Sequence, residues 1–203
     1  MLDLSDIQGN ILRGYSRFQH ARFMFFGIAT PAAGRELLDA LLPLITVAEW
    51  GERPKAATNI ALSFAGLRAL ALPTNSLASF PVPFQDGMKT RAAMLGDAGE
   101  SAPEHWDLPW RDQDVHVLVA AYAGNEEALA DHCRAILARV PPGIEILSPA
   151  QDAATLLKVP GEPDRIEHCG FVDGCRTNRH HRAHDRGRDG SSPQEERRLS
   201  RSR

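Results

Sequence analysis

The run Val115-His116-Val117-Leu118-Val119-Ala120-Ala121-Tyr122 constrains the fold more than any other stretch of this sequence. It is almost continuously apolar and rich in β-branched residues, so it predicts a strand buried on both faces, in the middle of a sheet. The next segment is equally legible. Asn125 suits a helix N-cap, Glu126 and Glu127 favour the positive end of the helix dipole, and Leu129, Cys133, Ile136, Leu137 and Val140 recur at helical spacing. Pro141-Pro142-Gly143 ends that helix, and Ile144 to Leu147 alternates as a further strand.

Earlier in the chain the same grammar repeats. Arg22 to Ile28 is a short aromatic-rich strand, and Thr30-Pro31 caps and opens a helix whose stripe is Leu37, Leu38, Leu41 and Leu42. Ala57 to Phe64 predicts a second strand, and Gly66 to Leu70 a helical turn ended by Pro73. A proline- and serine-containing loop comes next, then a helix over Phe84 to Leu95, broken at Gly96 to Gly99. Ser101 to Asp112 reads as irregular. Strand, helix, strand, helical insertion, strand, helix, strand is the order of a ferredoxin-like split βαβ antiparallel sheet, an α+β fold with inserted helices.

Composition divides the chain. The last 29 residues, Cys175 to Arg203, hold nine Arg and four acids, and only Cys175, Ala183 and Leu199 are apolar. Such a segment buries too little to offset its ordering entropy, so a disordered basic tail is expected over 175–203. The first 174 residues then carry a net charge of −8, against −3 for the whole chain. The basic tail lacks the aromatic interleaving of a nucleic-acid binder and comes after an acidic body, so no specific nucleic-acid partner is expected. Neither a secretion signal nor a membrane span is legible, which makes the cytoplasm the expected location. Cys133, Cys169 and Cys175 form no Cys-x-x-Cys pair and read as reduced thiols. His180, His181 and His184 have metal-ligand spacing but no fixed surroundings, and no metal site is assigned to them.

Chemistry concentrates at His168-Cys169-Gly170-Phe171-Val172-Asp173-Gly174. Gly170 and Gly174 allow positive φ or close approach to a flat ligand, with the Asp173 carboxylate held between them. A tight turn in which Asp173 bonds its own backbone accounts for the same residues.

Four separated stretches, Asp6 to Tyr15, Thr58 to Leu67, Ser101 to Asp107 and Glu167 to Gly174, together resemble the dye-decolorising (DyP-type) haem peroxidases in sequence and order. The resemblance spans residues 1–174, so it implies an N-terminal ferredoxin-like domain over 1–174 and leaves 175–203 outside. It implies haem b as the family's cofactor, and hydrogen peroxide and a reducing substrate such as a dye or phenolic compound as partners. Asp173 would be the distal acid–base catalyst, with Gly170, Phe171 and Gly174 beside the cofactor. The family's proximal His and distal Arg have no match here. The chain alone is therefore expected not to bind haem and to be inactive, with a ferredoxin-like interaction module, or a fragment that self-associates through uncovered apolar surface, as the alternative role. Cys175 to His181 departs abruptly from the family's continuation, and an out-of-frame tail is the expectation that sequencing of the gene would test. His168, His105 and Trp106 are expected to serve packing.

Overall fold

The computed structural model describes residues 2–12, 15 and 18–152, with the backbone of 153, 157–158 and 165–166. The chain divides into two units, Met1–Ala154 and Thr155–Arg203. In the second unit, β5 (Leu157–Lys158) and β6 (Arg165–Ile166) form a two-stranded antiparallel ribbon.

The first unit begins with α1 (Gly9–Leu12), then β1 (His20–Ile28), α2 (Pro31–Leu41) and β2 (Ala56–Leu62). An insertion then carries α3 (Phe64–Ala69), α4 (Thr74–Ala78), α5 (Val82–Thr90) and α6 (Ala92–Leu95). β3 (Val117–Ala123), α7 (Glu126–Leu137) and β4 (Ile144–Ala153) complete it. The four strands lie in the order β2-β3-β1-β4, and every pairing is antiparallel. This is the ferredoxin-like split βαβ sheet expected from the sequence, with the apolar run of β3 in an interior position.

Two predicted caps form as the sequence suggests. Thr30 Oγ1 accepts from Ala33 N at 3.2 Å, and Asn125 Oδ1 accepts from Ala128 N at 2.8 Å. Alternation then assigns the faces of the sheet. Met24, Phe26 and Ile28 of β1 and Val117, Val119, Ala121 and Ala123 of β3 turn toward α2 and α7, where Leu37, Leu41, Leu129, Cys133 and Ile136 close a buried core. Phe26, Val117 and Val119 there are fully buried.

The structure departs from the sequence reading in several places: α1 is unexpected, β1 starts two residues early at His20, and β3 starts only at Val117. The second strand stops at Leu62, because Ser63 leaves the sheet to cap α3, its Oγ accepting from Gly66 N at 2.9 Å. The loop after Pro73 contains α4, one short turn of helix with no buried residue. The helix expected over Phe84 to Leu95 is interrupted: Gly87 has φ +71°, a conformation that glycine adopts at little cost, and α6 starts afresh at Ala92. β4 continues six residues beyond Leu147, through Ser148-Pro149-Ala150, which lie opposite an irregularity between Phe23 and Phe25.

Candidate functional site

Asp173, Gly170, Phe171 and Gly174 lie outside the described residues, as do His168, His180, His181, His184 and the expected boundary at residue 174. The described surface with most chemical content is the face of the sheet opposite α2 and α7. Register places Asn59 beside Ala120 and Phe23, Ala61 beside Leu118 and Phe25, and Gly27 beside Glu145.

Chain segments close this face at two places. On the β1/β4 side the segment leading into β3 lays Val115 onto Phe25 and Leu147, and the Trp110 ring meets Phe25 edge-on at 5.0 Å. Gln151 Nε2 donates to Leu108 O at 3.5 Å and its Oε1 accepts from Trp110 Nε1 at 3.4 Å, tying β4 to the same segment. At the β2 side, Tyr15 stands edge-on to Tyr122 at 5.0 Å and stacks beside Trp50 at 6.2 Å, with the Arg53 guanidinium over Trp50. Between these two covers, Phe23 and Leu118 remain half-buried.

The N-terminal segment also fastens the β2 edge. Gln8 Oε1 accepts from Ile60 N at 2.8 Å and Gln8 Nε2 donates to Ile60 O at 2.8 Å, so one side-chain amide imitates a neighbouring strand. Thr46 repeats the device at Thr58, donating its N–H to Thr58 O at 2.9 Å and accepting from Thr58 N at its Oγ1 at 3.0 Å. Burial raises the Tyr15 phenol above its ordinary range, offset in part by Asn59, and burial raises Tyr122 as well.

Two clefts open beside this face, of about 470 and 320 Å³, sizes that suit a small ligand. The larger involves His105, Trp106, Asp107, Arg111 and Gln151. Trp106 Nε1 donates to Ser101 O at 2.9 Å, and His105 is exposed on a 3-10 turn. Arg111 holds the exposed Asp112 carboxyl below its usual range. The smaller cleft involves Gly27, Gln113, Asp114, His116, Glu145 and Leu147. Sequence reasoning does not single out His116. Its Nδ1 accepts from Ile28 N at 2.8 Å, across 88 positions of chain, and no sequence motif marks such a pairing.

Haem needs an axial ligand with a free lone pair facing an apolar slot. Among the described imidazoles, His132 Nε2 is bonded to Thr58 Oγ1 at 2.7 Å, His105 is exposed and His20 sits half-buried at the start of β1. His116 spends the Nδ1 lone pair on a backbone N–H, which leaves the ring proton on Nε2, so neither nitrogen is available to iron. Both clefts are lined by charged side chains. The described residues do not fit a haem by themselves, and among them no group of three or more His, Cys, Asp or Glu is placed to hold a metal ion.

Known proteins share this geometry. Residues 6–151 match the family described as the DyP dimeric alpha+beta barrel domain. Peroxidase 2 of Mycetinis scorodonius is 33% identical over 181 residues, covering 85% of this chain and 33% of that protein. The dye-decolorizing peroxidase of Mycena epipterygia is 29% identical, covering 85% and 32%. Among solved structures, the decolorizing peroxidase of Auricularia auricula-judae superposes with a TM-score of 0.69 at 24% identity, covering 85% of this chain and 37% of that one. DyP2 from an Amycolatopsis species gives 0.71 at 20% identity, covering 84% and 37%. The chain thus spans about a third of the length of the curated relatives that it matches.

Proposed function

The chain belongs to the DyP-type peroxidase family through its N-terminal α+β domain, and from that premise we propose that it is the N-terminal domain of a haem peroxidase, inactive without the remainder. The whole enzyme's reaction would be the hydrogen-peroxide-dependent oxidation of dyes and phenolic compounds, in the cytoplasm.

The observation that carries this reading is the unequal closure of the sheet. One face is sealed by α2 and α7, while the other leaves Phe23 and Leu118 half-buried between two partial covers. A sheet needs an apolar layer on each apolar face, and a second α+β unit set against this one would supply it. In that assembly Asp173 would act as the acid–base group, moving a proton between the two peroxide oxygens, with Gly170, Phe171 and Gly174 beside the cofactor.

A haemin titration of the purified chain tests the reading. The expected result is weak, unsaturable adsorption and no peroxide-dependent dye oxidation above that of free haemin. A saturable one-to-one Soret shift, with turnover that falls on Asp173→Asn, would instead mean that this chain holds and uses haem alone. A second reading, self-association, is favoured by the exposed Ile146 on edge strand β4 and by exposed Val82, Met88 and Met94 on the insertion. Light scattering that reports a monomer at all concentrations would remove it.

A further inference from the structure

β3 begins at Val117, yet β1 continues to Ile28, two residues past Phe26, which is the partner of Val117. The Ile28 N–H therefore has no carbonyl of β3 to meet. His116 fills the gap: its own N–H donates to Phe26 O at 3.0 Å, and its Nδ1 accepts from Ile28 N at 2.8 Å. The imidazole replaces a strand carbonyl that the chain does not supply.

The residue is fixed on its other side as well. Its carbonyl accepts from Ser63 N at 3.1 Å, and a Cβ on Gly66 would stand 2.1 Å from that oxygen, so α3 rests directly on the His116 backbone. His116 lines the smaller cleft, whose titratable residues are otherwise Asp114 of its own segment and Glu145 of β4, both exposed. β1 contributes Gly27 and Ile28 there, and the single charge of α3, Arg68, is exposed.

A carbonyl cannot be switched off by a proton, but an imidazole can. We propose that His116 is a proton-operated latch: neutral, it holds the end of β1 through Ile28; protonated on Nδ1, it releases Ile28. A proton on Nδ1 removes the lone pair and sets two N–H groups against each other, so the hold exists only with an unprotonated Nδ1. Release acts at the junction of β1, β3 and α3, two residues before the Thr30 cap of α2.

The test is NMR on the full chain between about pH 8 and about pH 5, the range in which imidazoles commonly titrate. At the upper end the nitrogen shifts of His116 should show an unprotonated, accepting Nδ1; a proton there overturns the proposal. Across the range, the exchange protection of the Ile28 amide, corrected for intrinsic rates, should fall about tenfold, as expected for one lost hydrogen bond. In His116→Asn, whose Oδ1 accepts at either pH, it should stay level. An equal fall in both chains overturns the latch. The tautomer is read in the wild-type chain, so the proposal stays testable if a variant fails to fold.

Discussion

On the helix side of the sheet, Phe26, Val117 and Val119 are sealed by residues of α2 and α7 that recur at helical spacing; on the other side, Phe23, Leu118 and Tyr122 are covered piecemeal by loops. The first face is closed by elements that the strands meet within one βα connection. The second is closed by residues such as Tyr15 and Trp110, which arrive from distant parts of the chain and leave a gap between them. The helix-covered face is a closed core, and the other face leaves Phe23 and Leu118 half-buried.

Substitutions can break this contrast, and the largest effect belongs to the sealed face. Phe26→Ala should cost about 3–5 kcal/mol in denaturant unfolding, since no neighbour can collapse into the space of a fully buried ring. Gly66→Ala should cost about 1–3 kcal/mol or more, because its Cβ meets the backbone of His116 rather than a movable side chain. Gln8→Ala, which strips three hydrogen bonds from β2, two with the Ile60 backbone and one from Asn59 Nδ2, should cost about 1–2 kcal/mol, read by the same titration. Leu118→Ser, on the partly covered face, should cost about 1 kcal/mol or less. A loss as large as that of Phe26→Ala would mean that this face is already a complete core.

The smallest effect is the pH dependence of the sealed face. Burial lowers the His132 imidazole below its ordinary 6.5, with a backbone hydrogen bond at Ala57 acting the other way. The fold therefore favours the neutral ring. Its contribution is complete above the unfolded value and is lost as pH falls through the folded one. Thermal melts at descending pH should show this loss, and His132→Gln should reduce it.

Much of the sealed face is legible in the sequence, because periodicity and caps report directly on burial: Thr30 and Asn125 cap where their positions predict, and β3 lies inside the sheet. The length of β4 is not, since Ser148 to Ala153 lacks β-branched residues and alternation, and its pairing with β1 alone makes it a strand. The break at Gly87 escapes because the apolar positions on either side still fall at helical spacing. His116 is hidden for a different reason. Its partner is a backbone N–H 88 residues away, and backbone groups leave no trace in sequence. Asp173 and its glycines lie outside the described residues, so geometry adds nothing there to what the motif implies.

The Gln8 amide has one more consequence, for the arithmetic of assembly. Extending a continuous sheet from copy to copy requires two open edges on each copy, one to receive and one to offer. Here the outward groups of Thr58 and Ile60 on β2 are already taken by Thr46 and Gln8, while β4 is the other edge strand. Within the four-stranded sheet of the described residues, edge pairing through β4 would therefore favour a two-fold symmetric pair over a filament, with Thr46 and Gln8 together occupying the second edge.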